Sequence, residues 1–197
     1  MRLKTMSRSL VLGACCAMSA GFVVAGAQTK VDATAKVAPA KALDDLLNLY
    51  EGEFTAVANA MPADKYNFAP SAAIFAPGQT VKFDTVRTFV DQINHVTEAN
   101  YYFYSSVGGM KPDVDLKALG KITTKEEAVA ALAASFKFAH KAIATITPEN
   151  AFLAIKPVDG QGTRATLAAF GAVHGYDHYG QLIEYLRMNG IVPPGSK

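Results

Sequence analysis

The chain is poor in cysteine and histidine, and its acidic residues are unevenly spread. Its two cysteines, Cys15 and Cys16, stand side by side near the start of 197 residues, and none follows. Acidic residues are missing from the first 27 positions, where Arg2, Lys4 and Arg8 form a basic start. An apolar and small-residue run from Leu10 to Val24 comes next, then Ala25-Gly26-Ala27. A basic start, an apolar run and a small-residue end are the layout of a secretory signal. The run is shorter than the roughly 20 apolar residues needed to span a bilayer. Cleavage after Ala27 is therefore expected, giving a periplasmic or secreted protein with no membrane segment left. Lipid attachment at Cys15, within Leu12-Gly13-Ala14-Cys15, is the alternative.

Loss of this segment changes the bulk properties. Removing its three basic residues from 19 leaves 16 against 17 acidic ones, a net charge of −1 rather than +2. No basic surplus remains, so nucleic acid is not an expected partner. Without cysteine the chain has no disulfide, thiol nucleophile or thiolate ligand, and metal chemistry would rest on His, Asp and Glu. A Ser-His-Asp arrangement, a phosphate loop and paired acid–base carboxylates are also missing. So is any period-two alternation of strand length. Phe152 to Ile155 could be extended, but one strand makes no sheet.

What is present is helical periodicity. Half the chain is apolar and 18% is charged, enough for the core of one ordinary domain. Residues 28–39 are polar and Ala-rich and read as a flexible leader. A first helix is expected from about Ala40 to Ala60, with Leu43, Leu46, Leu47, Tyr50, Phe54 and Val57 at spacings of three and four. A loop with Pro62 and Pro70 follows. A second helix is expected from about Asp84 to Ser105, with Val86, Phe89, Val90, Ile93 and Val96 on its apolar side and Gly108-Gly109 ending it. Thr124 and Glu127 form a capping box for a third helix reaching about Ile146. A fourth runs from Thr163 to Asn189, closed by Gly190 and Pro193-Pro194. The fold class is all-α. Four helices of about 30 Å suit a four-helix bundle over residues 40–194. The connection from Val107 to Ile122 is long enough to run back along a helix, which would leave the second and third helices parallel.

Three of the four histidines make a pattern. His174 and His178 lie four apart on a stripe with Leu167, Gly171 and Tyr185, so both imidazoles share a core-facing side of the fourth helix. Two such histidines can offer two nitrogen ligands to one metal ion, although the same spacing occurs at helix surfaces. His95 lies on the second helix in a polar stripe with Thr88, Asp91 or Gln92, Glu98 or Ala99, and Tyr102. Such a strip can line a cavity between helices, or hold a hydrogen-bonded boundary histidine. His140, between Lys137 and Lys141, is expected at a solvated or boundary position rather than as a fourth ligand. Asp177 and Glu98 are candidate acceptors for a ligand N–H or plain helix carboxylates. Gln181 is placed to orient a ligand, and packing accounts for it equally well; Tyr101, Tyr102 and Phe103 form an aromatic patch expected in the core rather than as a substrate platform, with Tyr102 the one that would line a pocket.

The run Asp177-His178-Tyr179-Gly180-Gln181, preceded by His174, resembles the fourth-helix signature of the DinB superfamily. The stretch from His95 to Tyr102 is similar to that family's second-helix histidine segment, and residues 61–70 and 185–194 resemble the loop and tail of its exported members. The resemblance implies a bundle of up-down-down-up connectivity in which His95, His174 and His178 hold one divalent metal. Three neutral nitrogens with a vacant position suit Zn²⁺ or Ni²⁺. Water on such an ion has a lowered pKa and could serve as nucleophile or base. Related proteins include small-thiol transferases and thiol-dependent isomerases.

Three functions are open on this reading. One is a metal-dependent transferase or hydrolase acting on a small molecule; the second is a non-catalytic module binding metal or ligand. The third is a bundle whose histidines are only packed polar groups. A small molecule and a second copy of the chain are the partners left open.

Overall fold

A computed structural model describes residues 34–71, 77–78, 83 and 85–196. The export segment expected over residues 1–27, and the leader as far as residue 33, lie outside the described residues. Four long helices dominate: α1 (Pro39–Ala60), α2 (Phe89–Gly108), α4 (Lys125–Ile143) and α5 (Arg164–Met188). A single helical turn, α3 (Leu116–Leu119), precedes α4, and a hairpin of β1 (Ala154–Val158) and β2 (Gln161–Thr163) precedes α5. No helix among the described residues is long and apolar enough to cross a membrane.

The helices form one bundle. α2 packs on α4 and α5, and α1 packs on the same two helices. Cross-links fix the directions. Lys125 Nζ at the start of α4 donates to the carbonyls of Asn59 and Met61 at the end of α1. Gly108 at the end of α2 lies against Ala142 at the end of α4. Tyr104 Oη donates to the Ala168 carbonyl, and Tyr185 Oη to that of Arg87. α1 is thus antiparallel to α4, α2 parallel to α4, and α5 antiparallel to α2. This is the up-down-down-up order, reached through the long connection after Val107.

Local chemistry sets the ends of the elements. α2 starts at Phe89, not near Asp84 as expected, because Thr88 caps it. The Thr88 side chain accepts the Asp91 N–H while the Asp91 carboxylate accepts the Thr88 N–H. Val86 consequently lies outside the helix and is 37% exposed, not part of its apolar side. Gly109, at φ 65°, takes the left-handed position that closes the helix. α4 ends at Ile143, three residues before the expected Ile146, and Ala144 to Thr147 form turns instead.

The expectation of no sheet is corrected in part. Asp159 and Gly160 both have positive φ (46° and 78°) and join paired strands through Val158 and Gln161. Asp-Gly supplies the two left-handed residues that a tight hairpin turn demands. α3 was also unforeseen: Asp115 caps it by accepting the Lys117 N–H, and Leu119 is buried.

The core is aromatic. Tyr50, Phe54, Tyr66, Phe89, Tyr101, Phe103, Tyr104 and Phe136 are all essentially inaccessible, each ring contributing on the order of 2–3 kcal/mol by burial. Two glycines of α5 make room for two of them. A methyl group on Gly175 would lie 2.0 Å from Tyr50 Cζ, and one on Gly171 would lie 2.8 Å from Tyr104 Oη. Tyr50 cannot retreat, since Phe54 and Phe136 pack edge-on against it at 5.6 and 5.1 Å. Helix propensity alone would favour Gly175→Ala by about 1 kcal/mol. Overpacking, at about 1–3 kcal/mol, should exceed that gain, so G175A is expected to lower the urea midpoint. An unchanged or raised midpoint would mean that Tyr50 has space to move.

Candidate metal centre

The antiparallel register of α2 against α5 brings His95 opposite His174 and His178. Their ring centroids lie 5.2 Å (His95–His174), 4.7 Å (His95–His178) and 4.8 Å (His174–His178) apart. One nitrogen of each ring lies within 4.8 Å of the other two. Imidazole nitrogens sharing an ion sit about 2.1 Å from it, hence a little over 3 Å from one another. The three histidines expected to meet do meet.

The rings are held neutral, as a metal ligand must be. Burial pulls His95 down to about 4, and the positive charges of Arg87 and His174 add to the effect. Burial likewise pulls His178 to about 4, helped by the other two imidazoles. His174 is lowered by burial, though Asp177 and Asp159 oppose the shift. Buried Nε2 of His174 has no hydrogen-bond partner among the described residues. An orphaned lone pair or N–H inside a protein costs about 1–3 kcal/mol. A cation between the three rings would remove that cost, and in this respect the residues fit a metal.

His178 is oriented by a residue that the sequence did not single out. Its Nδ1 lies 2.6 Å from Gln92 Oε1, an acceptor, so Nδ1 carries the proton and Nε2 is left with its lone pair. Gln92 Nε2 in turn donates to Gln181 Oε1 at 2.7 Å, and Gln181 Nε2 to Asp177 Oδ2 at 3.2 Å. Gln181 and Asp177 therefore act on His178 at one and two removes through Gln92. Neither touches an imidazole by hydrogen bond. Gln92 was legible only as an alternative to Asp91 on the polar stripe; its signal is a 98% buried amide one turn before His95.

The remaining candidates line the approach. A cleft of about 480 Å³ opens beside His95 and His174, walled by Glu98, Ala99, Tyr102, Phe103 and Leu116, with Lys117 and Asp159 also lining it. Tyr102 is 53% exposed, so it belongs to the cleft and not to the core. The pKa of Glu98 is raised by burial, against the opposing pull of Arg87 and of a hydrogen bond from the Gly120 backbone. No hydrogen bond joins it to an imidazole among the described residues.

A family profile for the DinB superfamily matches residues 47–182, which include all three histidines and most of the bundle. The chain belongs to the DinB superfamily. No curated protein matches it. In this family member the site is a three-histidine cluster between α2 and α5, with His95 and His174 lining a cleft.

His140 stands apart from the cluster, at the boundary position expected of it. Its Nδ1 lies 2.5 Å from Asp44 and its Nε2 2.8 Å from Glu51, so one ring ties α4 to α1. Burial lowers its pKa, but the hydrogen bonds and charges of the two carboxylates outweigh burial and raise it above 6.5. A raised folded pKa stabilises fully below 6.5, and the contribution disappears as pH climbs through the folded value. Stability to urea should therefore fall as pH rises from about 6.5, and His140→Gln should flatten that decline. An equal decline in the variant would show that another group is responsible.

Proposed function

We propose that this protein holds one divalent metal ion on His95, His174 and His178 and acts through it on a small molecule, as a metal-dependent transferase or hydrolase. The observation that carries this reading is the meeting of three neutral imidazoles, one with an unpartnered nitrogen, at the wall of an open cleft. Three neutral nitrogens with a free position suit Zn²⁺ or Ni²⁺. Such an ion supplies Lewis acidity, polarising a carbonyl or lowering the pKa of a protic group set against it.

The chain's own groups do the positioning. Gln92 fixes the tautomer and angle of His178. Phe103 packs edge-on against His174 at 5.3 Å, limiting its rotation and keeping water from that side. Tyr102 and Leu116 offer apolar surface to a ligand, and Glu98 is the carboxyl group placed to exchange a proton with it. A second reading, a binding module without turnover, draws support from the shell around the histidines. The hydrogen-bond partner of His178 is the neutral amide of Gln92, and among the described residues no carboxylate is bonded to any of the three rings to raise its basicity.

The layout of residues 1–27 supports export, so the same chemistry would take place outside the cytoplasm. An intact mass beginning at Gln28 is expected of the exported protein, and a mass that retains Cys15 would contradict cleavage after Ala27.

Dialysis against Zn²⁺ or Ni²⁺, followed by elemental analysis, should give one ion per chain. Gln92→Leu should weaken binding by roughly 10–100-fold, the usual loss when an outer partner is removed, while His174→Ala should cost more. Unchanged metal content in H174A would leave the histidines as packed polar groups. Hydrolysis or thiol transfer that depends on the bound ion would then separate the enzyme from the binding module.

A further inference from the structure

His95 and Glu98 divide the approach to the histidines into two compartments of opposite character. On one side is the cleft already described, where Ala99, Tyr102, Phe103 and Leu116 supply apolar surface and Lys117 and Asp159 stand as an oppositely charged pair of lining residues. On the other is a second cleft of about 390 Å³, lined by polar groups that include Arg87, Asp91 and Asn94. His95 and Glu98 line both.

The charges within the polar compartment are unequally committed. Asp91 is engaged in the cap of α2, accepting from both the N–H and the hydroxyl of Thr88. Asn94 donates to the Ile122 carbonyl. Glu98 is held by the Gly120 backbone. Arg87, by contrast, is exposed, and none of the ion pairs among the described residues includes it. Its backbone is anchored, because its carbonyl accepts from Tyr185 Oη at 3.0 Å. Its charge is also felt at all three imidazoles, whose proton affinity it lowers. Three neutral ligands cancel none of the charge of a divalent ion, so a ligand entering here meets a dication together with a guanidinium that feels Glu98 but is closed into no ion pair among the described residues. The guanidinium fork matches a carboxylate.

From this juxtaposition we infer that the ligand class is an amphiphilic carboxylate, its carboxylate directed to the ion and Arg87 and its apolar portion lying along Leu116, Tyr102 and Phe103. The inference rests on the metal-binding reading and goes beyond it by naming what the site takes. Apolar contact makes affinity grow with chain length. An open cleft buries each methylene only in part, which gives about two- to fourfold per CH₂.

Calorimetric titration of the Zn²⁺-loaded protein with acetate, butanoate and hexanoate tests this, with metal content measured beforehand. Affinity should rise along the series, and Arg87→Gln should weaken all three acids by about tenfold, the value of one charge-assisted contact. Leu116→Asn, which adds no charge, should flatten the dependence on chain length and change acetate least of the three. Both side chains are exposed, so neither change threatens the fold. If the protein takes up zinc but binds acetate and hexanoate equally, or if R87Q binds as well as the parent, the ligand class is wrong and the metal site stands. A protein that takes up no zinc overturns both.

Discussion

Everything in the site depends on three imidazoles being drawn out of water, His178 fully and the other two by half, without becoming charged. Burial of a histidine penalises its cationic form, and clustering penalises it again, since each proton repels the next. Two rings of the three are pulled to about 4 in this way. The bundle thereby carries nitrogen lone pairs in its interior at neutral pH, and one of these nitrogens has no partner of its own. A plain structural core would gain stability by replacing such groups with aliphatic side chains.

The bundle meets this demand by tight packing elsewhere. Gly171 and Gly175 lie on α5 beside His174 and admit Tyr104 and Tyr50 at distances that no other residue would allow. The aromatic core so formed fixes α5 against α1 and α2, and with it the angle from which His174 and His178 face His95. The connections then shape the approach. α3 supplies Leu116 and Lys117, and the Asp-Gly turn of the hairpin supplies Asp159. Rigid helices carry the three histidines, and short elements between them build the walls.

Much of this was legible in the sequence because it is periodic. The spacing of His174 and His178 on a stripe with Gly171 and Leu167 placed both in the interior, and the length of the connection after Val107 allowed the parallel pair of helices. What escaped was chemistry confined to a few residues. The cap at Thr88 uses Asp91 where a capping box usually has Glu or Gln, so α2 was begun too early. The Asp159-Gly160 turn stands between strands too short to show alternation. Gln92 lay on the polar stripe, but only the register of α2 against α5 reveals that its amide reaches His178. The partners of His140 are about 90 residues away along the chain and follow no period.

The most direct measurement is a crystal structure of the Zn²⁺-loaded protein with anomalous scattering recorded at the zinc edge. One peak about 2.1 Å from a nitrogen of each of His95, His174 and His178 is the result the account predicts. A peak elsewhere, such as between Asp44, Glu51 and His140, with none at the three histidines, would contradict it.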